Sequence, residues 1–181
     1  MTRVCDRFKD ASFDNYICET PAQRKLVEAL AAPITRNIFI SGGVGVGKTH
    51  LCYAFLNKNC KRHYLKCLNA WFYYGDTVYT TIKDIIDCVK RGWQTGNSDT
   101  ALDTYKEAKI LIIDEIGLQY GTDSERIELY ELFNYRYCEE LPTIAVSNFT
   151  KDEVIQILGL RISDRLFSHA LEFTIEGESK R

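Results

Sequence analysis

Proline is scarce in this chain: Pro21, Pro33 and Pro142 are its only three. No proline-rich or other low-complexity tract is present, no internal repeat appears, and each proline fits an element boundary. Cysteine is present but without a pattern. The seven sit at positions 5, 18, 52, 60, 67, 88 and 138, an odd number with no C-x-x-C pair. That excludes a zinc-binding spacing and a disulfide framework, and reads as reduced thiols in a reducing cytosol. Long apolar runs are also missing, so no segment is suited to span a bilayer. The opening "MTRVCDRFKD" has no apolar stretch of the secretory kind. A charge of one sign is lacking too: 23 basic against 25 acidic residues give a net charge of -2. No global field marks a nucleic-acid or anionic-membrane binder, and any such contact has to be a local patch. What remains is 181 residues, 45% hydrophobic and 27% charged, enough for one domain with a real core.

The apolar residues fall into short runs. "NIFIS" at 37–41, "AKILIIDE" at 108–115, "TIAVSN" at 143–148 and "LEFTIEG" at 171–177 read as buried parallel strands, with "DTVYTT" at 76–81 as a weaker fifth. A first helix, "PAQRKLVEALAA", opens on Thr20-Pro21, where threonine caps and proline suits the first turn. Further helical patterns cover 48–74, 82–93, 98–107, 123–140 and 150–168. Segment 50–74 reads as one extended helix or two, with Trp71, Phe72, Tyr73 and Tyr74 either packed on the sheet or forming a partner surface. Strands alternating with helices predict an α/β fold, a parallel sheet covered on both faces, with ligands beyond the carboxyl ends of the strands.

At the end of the first strand stands "GGVGVGKTH". Gly42, Gly47, Lys48 and Thr49 match G-x-x-x-x-G-K-[ST], the Walker A pattern, in its strand–loop–helix context. A polyphosphate is best held by many inward-pointing N–H groups, and Gly42, Gly43, Val44, Gly45, Val46 and Gly47 offer a backbone little encumbered by side chains. The helix that begins near Lys48, with Thr49 and His50 in its first turn, aims its positive end at the phosphates. Lys48 is expected to reach the β- and γ-phosphates and Thr49 to ligate Mg²⁺. "ILIIDE" supplies the Walker B arrangement: Asp114 for Mg²⁺ and Glu115 to polarise a water, the alternation of a strand placing Glu115 on the opposite face. Asn148, ending "AVSN", is positioned to hold that same water. In "GLRISDRL", Arg161 and Arg165 share a helix face, with Asp164 between them in sequence. One of the two is a candidate finger into a neighbouring subunit's site. Arg181 is a candidate phosphate contact within its own subunit. Lys90, Arg91 and Trp93 form a candidate patch for single-stranded DNA.

"FDNY" at 13–16, "GGVGVGKTHL", "LIIDEIG" at 111–117, "SN" at 147–148 and "GLRISDRL" together resemble the AAA+ ATPase domain of DnaC/DnaI-type replicative helicase loaders. IstB-like transposition ATPases share most of the pattern. The resemblance covers Phe13 to Arg181 and implies a P-loop NTPase of the AAA+/ASCE type, a three-layer sandwich on a five-stranded parallel sheet. It also implies ATP and Mg²⁺ as cofactors and hydrolysis at sites shared between subunits. The partner implied is a hexameric DnaB-type helicase, with single-stranded DNA as a further ligand. By motif it makes Asn148 sensor 1, Arg165 the finger with Arg161 second, and Arg181 a sensor 2 arginine. Residues 1–181 are expected to form one AAA+ domain with 1–12 as a short tail. Segment 50–75 is longer than the family pattern. Loaders of this kind usually carry a separate N-terminal docking domain, where here only about a dozen residues precede "FDNY". Either the helicase contact lies elsewhere, or this is a minimal, phage-borne version, or that domain was removed. Competing readings are an IstB-like ATPase working with a transposase, a small P-loop nucleoside kinase, and a clamp that binds ATP without cleaving it.

Overall fold

A computed structural model of the chain describes residues 2–65, 70–95, 102–118 and 122–179. In order these form β1 (Thr2–Arg3), a short 3₁₀ turn at Asp6–Phe8, α1 (Pro21–Ala31), β2 (Ile38–Gly42) and α2 (Lys48–Asn59). There follow β3 (Lys61–Leu65), β4 (Ala70–Tyr74), β5 (Thr77–Thr81), α3 (Ile82–Thr95) and α4 (Asp103–Lys106). The chain continues with β6 (Ile110–Ile116), α5 (Asp123–Cys138), β7 (Thr143–Ser147), α6 (Lys151–Leu158), α7 (Leu160–Phe167) and β8 (Leu171–Ile175).

The five strands read from sequence make one parallel sheet in the order β5-β6-β7-β2-β8. Successive residues of each central strand serve opposite faces, and both faces are apolar, which is why these strands read as continuous hydrophobic runs. Ile38, Ile40, Ile112, Ile144 and Val146 join the core under α1 and α2. Phe39, Leu111, Ile113 and Ala145 join the core under α3, α5, α6 and α7. The result is the expected three-layer sandwich. Helix α1 starts as its sequence predicts: Thr20 Oγ1 accepts from Gln23 N–H, while Gln23 Oε1 accepts from Thr20 N–H, a reciprocal capping box with Pro21 in the first turn.

Two expectations are corrected. Segment 50–74 is not helical throughout. Helix α2 ends at Asn59, and β3 and β4 form an antiparallel pair that β1 extends into a second, three-stranded sheet. "KRHYL" and "AWFYY" are dense in aromatics, which fit a pleated surface better than a helix. Of the four aromatics at 71–74, the side chains of Trp71 and Phe72 lie outside the described residues, Tyr74 is exposed and Tyr73 is packed inward. It is buried, and its hydroxyl donates to Asn57 Oδ1 at 2.6 Å. The second correction is at 150–168, where the helix breaks at Gly159. That residue has φ 84°, a left-handed value that interrupts helical propagation and separates α6 from α7. Of the helix expected at 98–107, Asp103–Lys106 is present, and 96–101 lie outside the described residues.

Arg136 fastens the end of the sheet remote from the glycine loop. It is buried, and its guanidinium donates to Thr143 Oγ1 and to the carbonyls of Tyr105, Lys106, Ala108 and Pro142 at 2.7–3.1 Å. Burial pushes its pKa down to about 10. Asn37, at the entry to β2, works beside it. Its Oδ1 accepts from Thr143 N–H, and its Nδ2 donates to the carbonyls of Arg165 and Leu166 at the end of α7. The described cysteines are all free thiols. Among the described residues no helix is long and apolar enough to cross a membrane.

Candidate functional site

The carboxyl ends of β2, β6 and β7 open onto a cleft of about 580 Å³. Its floor is the loop between β2 and α2. Gly47 has φ 98°, and a Cβ there would stand 2.7 Å from the Tyr16 ring, so both the turn and the close approach call for glycine. The Lys48 ammonium donates to the Gly42 and Gly43 carbonyls, each at 2.7 Å, and is buried along the loop. Val44, Gly45, Gly47, Lys48, Thr49, His50, Asp114, Glu115 and Asn148 all line this cleft. Gly42, Gly43 and Val46 line an adjoining hollow, which Asn148 also borders. The sheet order explains the convergence. Strand β7 lies between β2 and β6, so the glycine loop, the acidic pair and Asn148 end side by side.

Asp114 is the buried centre of the arrangement. Its Oδ2 accepts from Thr49 Oγ1 at 2.8 Å and from the Tyr79 hydroxyl at 3.1 Å, and its Oδ1 accepts from Glu115 N–H at 2.8 Å. A hydroxyl and a carboxylate in direct contact are the hard oxygen donors that Mg²⁺ takes alongside phosphate oxygens and water. Burial, followed by the charge of Asp114, pushes the Tyr79 phenol far above its usual range, so it stays a proton donor. The same two causes raise the Cys52 thiol behind it.

Glu115 departs from the strand alternation expected of it. Between Ile113 and Ile116, β6 carries one more residue than β7, since Ile113 pairs with Ala145 and Ile116 with Ser147. Glu115 occupies this bulge with φ 61°. A bulge re-aims a side chain, and here it brings Glu115 into the same cleft as Asp114. Its side chain is exposed, open to a water.

The N-terminal segment closes the other wall. Arg7, Phe8, Asn15, Tyr16 and Ile17 line the cleft. The Tyr16 hydroxyl donates to the Val46 carbonyl at 3.2 Å, and burial raises its pKa to about 12. His50 turns toward this segment, its Nε2 lying 3.2 Å from the Ser12 carbonyl oxygen. From the C-terminal side, Ser179 approaches Gly45 so closely that a Cβ there would collide with its hydroxyl. Tyr79 and Tyr16 had no role in the sequence reading. Tyr16 belongs to "FDNY", which carried a signal. Tyr79 had none, because its partner is 35 residues away.

The arginines lie elsewhere. Arg165 borders the hollow at the opposite end of the sheet, beside Asn37 and Arg136. Its Nε donates to Asn134 Oδ1 at 3.2 Å, it pairs with Asp164, and its guanidinium stands 5.0 Å from the centre of the Tyr137 ring. Arg161 is exposed on a groove between α5 and the α6–α7 junction, beside Asp123, Ile127 and Leu160. Neither is among the residues lining the cleft of its own chain, and although they stand four residues apart on α7 they border different hollows. Arg181 lies outside the described residues. In the candidate DNA patch, Lys90 pairs with the buried Glu125 at 3.1 Å, and the Trp93 indole N–H donates to Glu128 at 3.3 Å. Two acids therefore offset that patch.

Residues 7–181 match the family described as IstB-like ATP binding protein. The replicative helicase loader DnaC of Escherichia coli strain K12 is 28% identical over 168 residues, which cover 87% of this chain and 63% of that protein. DnaC of Buchnera aphidicola subsp. Acyrthosiphon pisum is 29% identical over 199 residues, covering 100% of this chain and 76% of that protein. This chain therefore spans less than two thirds of the length of the E. coli relative. Among solved structures, that of the DnaC helicase loader superposes with a TM-score of 0.75 at 20% identity, over 95% of this chain and 100% of the other. That likeness is one of fold.

Proposed function

The chain belongs to the IstB-like ATP-binding protein family, and on that premise we propose that it hydrolyses Mg·ATP and uses the cycle to load or remodel a hexameric DnaB-type replicative helicase on DNA. The observation that carries the reading is the cleft in which Thr49 touches Asp114 at 2.8 Å and the bulge brings Glu115 alongside. The glycine loop and the start of α2 bind the phosphates through main-chain N–H groups, and Lys48 places its charge on the β- and γ-phosphates. Thr49 and Asp114 hold Mg²⁺, which neutralises charge on those phosphates when bound.

Glu115 orients a water, with Asn148, and takes its proton as the water oxygen bonds to the γ-phosphorus. The bond from that phosphorus to the β–γ bridging oxygen breaks, leaving ADP and phosphate. The position of Arg161 and Arg165 away from their own cleft supports a site completed by the next subunit, with Arg165 as the finger. The loader assignment draws on the named relatives, one of them matching across this whole chain.

The test is direct. The full chain is mixed with a hexameric replicative helicase, with and without Mg·ATP, and resolved by size. A complex that forms with ATP, persists with Glu115→Gln and releases on turnover supports the loader. Retention of a transposase in place of the helicase supports the second reading, an IstB-like ATPase working with a transposase. Phosphate transfer to a nucleoside would overturn both.

A further inference from the structure

We propose that the small sheet β1-β4-β3 is a binding surface for single-stranded DNA. The inference deepens the loader reading, from which it takes DNA as the polymer, but it stands on the chemistry of the sheet. Its strands β3 and β4 come from the stretch expected to exceed the family pattern, and no residue of β1, β3 or β4 lines the ATP cleft.

Register sorts its residues by face. Lys61 pairs with Tyr74, Arg62 with Tyr73, His63 with Phe72, and Arg3 with Phe72 on the other side. Tyr73 is buried toward α2. The alternate residues Arg3, Lys61, His63 and Tyr74 therefore face away from the core, and all four are exposed. The His63 and Tyr74 rings meet edge to face, with centroids 4.8 Å apart and planes at 71°. Two exposed rings with two cations on the same face, Arg3 and Lys61, match what an unpaired strand presents, flat bases to stack and phosphates to neutralise.

The two longer strands of the sheet carry charge of one sign. Strands β3 and β4 carry Lys61 and Arg62 and no acid, and Lys58 stands in the last turn of α2 before them. The exposed acids nearest in the chain are Asp6, after β1, and Asp76. Asp76, at the border, is paired with Lys109. In a chain of net charge -2, this is a local patch of the kind a polyanion requires. The patch at Lys90 and Trp93, by contrast, is offset by Glu125 and Glu128.

The experiment uses the full chain and a fluorescent oligothymidylate, without helicase or ATP, read by anisotropy across a salt series. Tyr74→Ala is expected to weaken binding about tenfold, the loss of one stacked base. Lys61→Ala is expected to flatten the slope of log affinity against log salt by about 0.7. Tyr74→Phe retains a ring and is expected to bind as the unaltered chain does, which separates stacking from damage to the sheet. Ultraviolet cross-linking followed by peptide mapping is expected to mark the β3–β4 region.

Unchanged affinity and slope in Lys61→Ala and Tyr74→Ala, or cross-links confined to other segments, overturn the proposal. So does lost helicase retention with unchanged DNA affinity, which would make the sheet a protein-docking face. Failure of helicase retention in the unaltered chain bears on the loader reading alone.

Discussion

Glu115 is held in a left-handed conformation at φ 61°, and replacing it separates what it does for the fold from what it does for chemistry. A residue with a Cβ costs about 1–2 kcal/mol in that region. Glycine does not, but it surrenders about 0.5–1 kcal/mol of extra chain entropy on folding. The side chain is exposed, and among the described residues no hydrogen bond to its carboxylate holds the bulge together. The contact that does, Glu115 N–H to Asp114 Oδ1, is a main-chain donor any residue keeps. Glu115→Gly is therefore expected to be more stable than Glu115→Ala by about 0.7 kcal/mol, the difference between the mid-range values of those two effects. In an ordinary strand the order is the reverse. For a domain of this size that margin is about 1–4 °C in melting temperature.

Both variants are expected to lose about 10²–10⁴-fold in phosphate release, the ordinary contribution of a positioned base. Urea titration with a shared slope, alongside a coupled phosphate assay, reads both quantities. Glu115→Ala proving the more stable by 0.5 kcal/mol or more (about the size of the ordinary glycine penalty) would refute the argument from strain.

At the far end of the sheet, Arg136→Met leaves four carbonyls and a hydroxyl without their donor. It is expected to cost about 3–5 kcal/mol in chemical denaturation. ATP affinity measured well below the melting point is expected to hold, because the cleft lies at the other strand ends. In alkali, burial raises the phenols of Tyr16 and Tyr73 to about 12 and those of Tyr53 and Tyr79 beyond. Raised acids bind protons more tightly folded than unfolded, so their contribution is constant below about pH 10 and falls above it. Tyr79→Phe is expected to make that fall shallower in a pH series of urea midpoints. Arg165→Ala is expected to bind ATP normally and turn it over poorly. Mixing with Glu115→Gln, which donates an intact arginine, is expected to restore phosphate release, and no recovery would place Arg165 outside the neighbour's site.

The parts of this molecule that were legible in the sequence depend on neighbours in the chain. The glycine loop, the acidic pair and the five apolar strands are contiguous patterns, and their local context carries the chemistry. The orientation of Glu115 was not legible, because a bulge depends on how β6 pairs with β7, and the alternation rule assumes no extra residue. The β3–β4 hairpin was misread as helix because a run of aromatics has no clear period, and only its pairing shows the strand. Tyr79 stood in the weakest strand pattern and acts through Asp114 across the sheet, which a one-dimensional reading does not reach.

Asn37 gives the architecture a mechanical property. One amide clasps three things at once: the first residue of β7, the threshold of β2 and the last turn of α7. The strand that ends in the phosphate-holding loop and the helix that carries Arg165 are thereby geared to a common pin. If phosphates draw β2 forward, α7 and its Arg165 are tied to the same amide, and on the composite site proposed above the cation would move with it. Were the proposed site shared between subunits, that rigid linkage would hand the state of one on to the next, and the stiffness of one side-chain amide would set how faithfully.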